Sequence, residues 1–231
     1  MQPTNQQHAY QKGKSTETAL HSLVKNIEKA LDAKEIAFCR FLDIEGAFDN
    51  TSFEFMEKAA KKKNIEISTI KWIKSMLSSR VITANLMETN IIVAVSRGCA
   101  QGGVLSPLLW SLVVDSLLEE LNNKGFDTQG YADDIVVIIK GKEDQILSGL
   151  MQKALKTIQE WCRKEGLTIN PTKTEIVSFT RQRKLQIKTP ILNGIPVMIS
   201  NEFKYLGIIL NHKLTWNQHL THTANKATRA I

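Results

Sequence analysis

The stretch Phe126-Asp127-Thr128-Gln129-Gly130-Tyr131-Ala132-Asp133-Asp134-Ile135-Val136-Val137-Ile138-Ile139 puts two adjacent carboxylates at the bend between two runs of strand-like sequence. A tight connection between two strands is the natural reading, and such a hairpin end can hold hard metal ions. Taken alone, the Asp-Asp pair reads equally well as an ordinary surface turn. The choice depends on what stands upstream and downstream of it.

Upstream, Phe38-Cys39-Arg40-Phe41-Leu42-Asp43-Ile44-Glu45-Gly46-Ala47-Phe48-Asp49 carries Asp43 at the end of a mostly apolar run. A strand buried on both faces reads as a near-continuous hydrophobic segment, and a carboxylate at its end is either solvated or aimed at a ligand. Two strand-end carboxylate sites on neighbouring strands could chelate a pair of Mg2+ ions, which take oxygen ligands and keep positions for water and substrate phosphates. Between them lies Arg97-Gly98-Cys99-Ala100-Gln101-Gly102-Gly103-Val104-Leu105-Ser106-Pro107-Leu108-Leu109-Trp110. Its glycines permit close backbone approach, and the apolar stretch that follows reads as a helix with Ser106 as N-cap and Pro107 in the first turn. Such a helix N-terminus suits a phosphate, although an ordinary loop entering a core helix has the same pattern.

In order and spacing these segments resemble the palm of reverse transcriptases, more narrowly that of non-LTR (LINE-like) retrotransposon Pol polyproteins. The resemblance covers nearly the whole chain. It begins at Gln7-His8-Ala9-Tyr10-Gln11-Lys12-Gly13-Lys14-Ser15-Thr16, like the segment before the first palm helix. It runs through the three segments above to Gly166-Leu167-Thr168-Ile169-Asn170-Pro171-Thr172-Lys173-Thr174-Glu175, like the motif carrying a palm lysine. Phe203-Lys204-Tyr205-Leu206-Gly207-Ile208 is similar to the primer grip. Ala100 stands where many relatives carry proline.

The resemblance implies an α+β fold, an antiparallel sheet backed by helices. It places fingers and palm helices with a hairpin at about 1–35 and 50–100, palm at 36–49 and 101–210, and the start of a thumb at 211–231. It implies RNA-directed DNA polymerase activity with two Mg2+ ions, Mn2+ being a possible substitute, bound by Asp43, Asp133, Asp134 and the carbonyl of Ile44. Because successive strand side chains point to opposite faces, Asp134 ranks behind Asp133 as a supporting carboxylate. Phe48 is expected beneath the sugar of the incoming nucleotide, excluding a 2′-hydroxyl. Arg97, Gln101 and Gly102 are expected at the nucleotide or template, Lys173 as the group that protonates or stabilises pyrophosphate, and Tyr205, Leu206 and Gly207 at the primer. From spacing alone Phe48 is a core aromatic and Lys173 one exposed lysine among many. Glu45 and Asp49 read as local capping or surface carboxylates. The implied partners are an RNA template, a DNA primer or target, dNTPs, and the remainder of a Pol polyprotein including an endonuclease. A non-catalytic nucleic-acid-binding remnant and a group II intron or retron polymerase are the alternatives. The expected fingers motif upstream and most of a thumb downstream are missing, which reads as a fragment or a decayed copy.

Composition agrees. The chain has 231 residues, 42% of them hydrophobic, enough for a substantial core. Its 30 Lys and Arg exceed 23 Asp and Glu, a formal +7 that favours nucleic acid. Lys58-Ala59-Ala60-Lys61-Lys62-Lys63 and Arg181-Gln182-Arg183-Lys184 are candidate phosphate contacts or solvated faces. Cys39, Cys99 and Cys162 have no metal-ligand spacing and read as buried free thiols in a reducing compartment. His219 and His222 lack a cysteine pair, which argues against zinc. With no signal-peptide pattern and no membrane span, an intracellular protein of nucleus or cytoplasm is expected.

Helical spacing of Leu20, Leu23, Val24, Ile27 and Leu31, with Ser15 or Thr16 as cap, predicts a first helix. Helices are further predicted over about 52–63, 68–79 and 106–124, and over the amphipathic run from Ile146 to Trp161 that ends at Gly166. Val81 to Met87 with Ile91 to Val95 predicts one hairpin. Asn193-Gly194 between Leu185-Gln186-Ile187 and Ile195-Pro196-Val197-Met198-Ile199 predicts another.

Overall fold

The run of apolar residues before Asp43 becomes Ile36–Leu42, a strand buried along its whole length. The computed structural model describes residues 4–86, 89–171, 173–182 and 185–229. In chain order its elements begin with α1 (Thr16–Asp32), β1 (Ile36–Leu42), β2 (Ile44–Glu45), α2 (Ala47–Asn50), α3 (Phe53–Lys62) and α4 (Ile67–Ser78). There follow β3 (Val81–Leu86), β4 (Thr89–Ala94), α5 (Ser106–Asn123), β5 (Asp127–Tyr131), β6 (Asp134–Gly141) and α6 (Asp144–Glu165). The last part holds β7 (Thr168–Ile169), β8 (Glu175–Phe179), β9 (Ile191–Leu192), β10 (Ile195–Pro196), β11 (Met198–Ser200), β12 (Glu202–Tyr205), β13 (Ile208–Asn211) and α7 (Asn217–Thr228).

The main sheet runs β11-β8-β1-β6-β5. Its pairs are antiparallel except β11, which lies parallel to β8, so the expected antiparallel sheet has one parallel edge. Alternation along β1 divides the core. Ile36, Phe38 and Leu42 face a large cluster built with α3, α5 and α6, whereas Ala37, Cys39 and Phe41 face a smaller one built with α1, β12 and β13. The α+β expectation holds, with helices backing both faces of the sheet.

The helices follow their sequence signals. Ser15 accepts from the Thr18 N–H while the Thr18 hydroxyl accepts from the Ser15 N–H, a reciprocal cap that starts α1. Leu23, Ile27 and Leu31 then bury the inner face. Gly166 ends α6 in the left-handed conformation, at φ 69°. Ser106, however, is the first residue of α5 and does not cap it; its hydroxyl donates to the Ala100 carbonyl at 2.6 Å, tying the helix to the preceding loop instead.

The Asn193-Gly194 turn is present, but the strand before it is Ile191–Leu192 and not 185–187. Gln152 on α6 offers both ends of its amide to Ile191, donating to the carbonyl and accepting from the N–H, and this sets where the strand forms. The segment after the turn splits between β10 and the parallel edge strand β11. The hairpin of β3 and β4 pairs only with itself and is exposed over both faces; Met87, at its predicted tip, is outside the described residues.

Candidate active site

The register of the sheet assembles the carboxylates. Leu42 faces Ile135 across β1 and β6, so the chain leaves β1 through Asp43 at the same end where Asp134 enters β6. Tyr131 faces Asp134, leaving Ala132 and Asp133 as the two-residue turn. Ala132 takes φ 56°, the left-handed region glycine normally supplies in such turns. Asp133 and Asp134 are exposed and Asp43 is partly buried. Partial burial of its carboxyl, then the charges of Asp133 and Asp43, push the Asp134 pKa up to about 6. By register, Asp134 rather than the higher-ranked Asp133 stands level with Asp43.

Beyond Asp43 the chain makes a short pairing with the segment that carries Lys173. Ile44 faces Ile169 and Glu45 faces Thr168, and the Asn170 N–H donates to the Asp43 carbonyl at 3.2 Å. Lys173 Nζ lies 3.7 Å from Asp43 Oδ2 and its side chain stays largely exposed. Its sequence neighbour Thr172 is outside the described residues. A lysine that reads in sequence as one among many is therefore at the carboxylate end of the sheet.

The loop 97–102 is fastened to α2. The Cys99 N–H donates to the Phe48 carbonyl and the Gly98 N–H to the Thr51 carbonyl, both at 2.7 Å, and Arg97 bridges Ser52. Gly98, at φ 79°, passes so near α2 that a Cβ there would meet the Asp49 carbonyl oxygen at 2.5 Å. Gly102, also at φ 79°, faces open space. Gln101 donates to Asp49 Oδ2 at 3.3 Å, so Asp49 is more than a surface carboxylate. Half-buried Phe48 leans on Trp110 of α5, with ring centroids 5.8 Å apart. Arg97 itself is exposed.

The triplet expected at the primer lies at the bend between β12 and β13, with Tyr205 the last residue of β12. Tyr205 is buried, its hydroxyl accepting from Gln129 Nε2 at 3.2 Å, while Leu206 and Gly207 make the bend at φ 45° and φ 88°. Burial raises the Tyr205 pKa, so the phenol stays protonated.

Three contributors escaped the sequence reading. Asp49 anchors Gln101. Arg80 donates to the carbonyls of Arg97 and Gly98 and lies over the Phe53 ring at 5.6 Å, bracing the loop from outside. Tyr10 lies in the field of Asp133. Only the loop glycines could have hinted at a close neighbour; nothing local marks Arg80 or Tyr10.

The lysine run turns out to be ion-paired. Lys58 meets Glu165, Lys61 meets Glu57, Lys62 meets Glu119, and Lys63 meets both Asp115 and Glu119. Lys58, Lys61 and Lys62 remain exposed, as the solvated-face reading of this run has it, and only Lys63 is largely covered. In the second basic run, Arg181 pairs with Asp32 and Arg183 and Lys184 are outside the described residues. All three cysteines are buried free thiols, as read.

The description "Reverse transcriptase (RNA-dependent DNA polymerase)" matches residues 1–210. The chain belongs to the reverse transcriptase family. Among sequence relatives, the RNA-directed DNA polymerase from mobile element jockey of Drosophila funebris is 31% identical over 214 residues, covering 89% of this chain and 23% of that protein. The "Probable RNA-directed DNA polymerase from transposon BS" of Drosophila melanogaster is 30% identical over 227 residues, covering 95% and 25%. The Pol polyprotein from type-1 retrotransposable element R1 of Bradysia coprophila is 26% identical, covering 95% and 22%. The chain thus spans about a quarter of the curated relatives it matches. An apo telomerase from Candida tropicalis shares the fold at TM-score 0.63 and 13% identity, over 92% of this chain and 40% of that one.

Reverse transcriptases as a family depend on divalent metal ions. Among the described residues no three His, Cys, Asp or Glu side chains are gathered into a ready-made cage. Magnesium needs none, since one or two carboxylates suffice when substrate phosphates complete its shell. The donor set, all hard oxygens, fits such an ion, and a cation there would offset the burial and, after it, the neighbouring negative charge that raise Asp134. No helix among the described residues is long and apolar enough to cross a membrane.

Proposed function

We propose that this chain is the nucleotidyl-transfer core of a non-LTR retrotransposon polymerase, extending a DNA primer on an RNA template. The observation that carries this reading is that Asp43, Asp133, Asp134 and Lys173 all stand at one end of the sheet, with Lys173 3.7 Å from Asp43, and that a nearby loop is fastened to the helix that bears Phe48. Asp43, Asp133 and Asp134, with the Ile44 carbonyl, would hold two Mg2+ ions, or Mn2+ in their place. These ions supply charge neutralisation and activate the primer 3′-hydroxyl.

The chain's own residues position the reactants. The 3′-hydroxyl oxygen bonds to the α-phosphorus as the bond to the pyrophosphate oxygen breaks, and its proton leaves toward solvent at the carboxylates. The Lys173 ammonium, largely exposed beside Asp43, would then give a proton to the departing pyrophosphate. Phe48, braced on Trp110, would close the space beneath the sugar, and Gln101, steered by Asp49, would meet the incoming nucleotide or template with Gly102 and Arg97. Leu206 and Gly207 would touch the primer strand while buried Tyr205 holds their turn in place. We further assign palm to 36–49 and 101–210, fingers and palm helices with the hairpin to about 1–35 and 50–100, and the start of a thumb to 211–231. The remainder of a Pol polyprotein, with its endonuclease, would act in nucleus or cytoplasm with this core.

The test is primer extension on an RNA template with dNTPs and magnesium, using the chain and the longest polypeptide its locus encodes. Magnesium-dependent extension lost in Asp133→Ala is expected. Hybrid binding without extension by either protein, unchanged by Asp133→Ala, would replace this reading with that of a binding remnant.

A further inference from the structure

Asp43 stands between two strands, and Lys173 between the two strands that pair with them. β1 ends at Leu42 and β2 begins at Ile44; β7 ends at Ile169 and β8 begins at Glu175. Both pairings are antiparallel, with Phe41 facing Glu175 and Ile44 facing Ile169. Between those two facing pairs lie Leu42 and Asp43 on one side, and the chain from Asn170 to Thr174 on the other. The longer side has to bulge where it passes Asp43, and how it is folded there decides where the Lys173 ammonium stands.

Asn170 ties this excess chain together. Its N–H donates to the Asp43 carbonyl at 3.2 Å, and its own carbonyl accepts from the Thr174 hydroxyl at 2.6 Å. Its side-chain Oδ1 accepts from the Lys173 N–H at 3.3 Å, while Nδ2 donates to Glu45 Oε1, also at 3.3 Å. Thr174 is fully buried, so the end of the bulge that enters β8 is fixed. One partly buried side chain thus links the segment that carries Asp43 and Glu45 to the backbone of Lys173.

The two side-chain partners also fix which way the carboxamide points. An ionised carboxylate only accepts and a backbone N–H only donates, so Nδ2 must face Glu45 and Oδ1 must face Lys173. Glu45, which reads in sequence as a capping or surface carboxylate, is the group that orients Asn170. Lys173 depends on such support. Its ammonium lies 3.7 Å from Asp43 at the end of a long and largely exposed side chain, so the placement of its backbone sets what it can reach.

We propose that Asn170 is a positioning residue for nucleotide addition: oriented by Glu45, its carboxamide holds the Lys173 backbone where the ammonium can serve the departing pyrophosphate beside Asp43. This rests on the nucleotidyl-transfer reading above. The test measures single-nucleotide addition on a primed RNA template in magnesium by the longest polypeptide the locus encodes, crossing Asn170→Ala with Lys173→Met. Asn170→Ala should lower kcat about tenfold and leave hybrid affinity and the KM for dNTP within about twofold, the mark of a group that acts on the chemical step. The double variant should be no slower than Lys173→Met, because without the ammonium nothing is left to place. Asn170→Asp keeps the acceptor for Lys173 but sets two carboxylates together, and it should also be slow. Adding Glu45→Gln reverses donor and acceptor across that bond and should restore kcat to within about threefold of the wild type. This recovery decides alone if Asn170→Ala fails to fold. Losses that multiply in the double variant, an unchanged kcat in Asn170→Ala or in Lys173→Met, or no recovery with Glu45→Gln would overturn the positioning role while leaving the polymerase reading intact. Absence of extension by the folded wild type would overturn both.

Discussion

Arg40 should be worth more to this fold once it is removed. It occupies the middle of β1, between Val137 and Ile176, with no exposed surface. By alternation it faces the large cluster with Phe38 and Leu42, and none of its three guanidinium nitrogens has a hydrogen-bond partner among the described residues. Burial lowers its pKa from the ordinary arginine value above 12 to about 9. A drop of that size corresponds to a penalty of about 5 kcal/mol, at about 1.4 kcal/mol per tenfold change in proton affinity. Local relaxation and water entry reduce it, and replacing buried charges by apolar groups of similar volume typically gains about 1–4 kcal/mol. Arg40→Met, which keeps a long adaptable chain without the charge, is therefore expected to stabilise by about 2–4 kcal/mol. Urea unfolding at pH 7 should show a higher midpoint with the same slope.

The sign of the pH dependence is fixed by the same shift. Between about 9 and the unfolded value the unfolded chain holds the proton that the folded chain has lost, so stability rises with pH across that window. Below pH 9 the penalty is complete. The advantage of Arg40→Met should accordingly narrow by about 0.8 kcal/mol between pH 7 and pH 9.5. A midpoint in Arg40→Met equal to or below that of the wild type would show that the guanidinium has a partner and refute the reasoning.

Gly98→Ala should cost at least about 2 kcal/mol in urea unfolding and raise the KM for dNTP, because the new Cβ meets the Asp49 carbonyl oxygen at 2.5 Å with φ at 79°. Asp115 is fully buried, 3.0 Å from Lys63, and accepts from the Thr4 N–H, so Asp115→Ala should lower stability by about 3 kcal/mol and Asp115→Asn by less. Phe48→Val in an active polymerase should raise ribonucleotide incorporation relative to dNTP incorporation; unchanged sugar selection would end the steric-gate assignment.

Much of this architecture is legible residue by residue. The spacing of Leu23, Ile27 and Leu31, the cap at Ser15 and the stop at Gly166 are local signals, and local physics suffices to obey them. The carboxylates at 43, 133 and 134 are legible because strand ends and turns have distinctive neighbours. Ser106 misleads because a hydroxyl can accept from a helix N–H or donate to a carbonyl, and only the folded loop brings the Ala100 carbonyl close enough to take its proton. Similarly, Asn193-Gly194 locates a turn, but the length of its strands depends on Gln152, remote in sequence. Lys58, Lys62 and Lys63 look free because their partners, Glu165, Glu119 and Asp115, lie on other helices.

The β3–β4 ribbon has a practical meaning. Its described residues carry no charge, and Ile82, Leu86, Ile92 and Val93 are each more than half exposed, at 61%, 66%, 67% and 54%. Both outer edges offer unpaired backbone to another strand, without the lysines or prolines that usually discourage such pairing. Solubility, ahead of chemistry, will limit the concentration at which this protein can be assayed. A weak variant must therefore be compared at equal dispersed protein, since a change that merely loosens the ribbon will mimic a damaged active site.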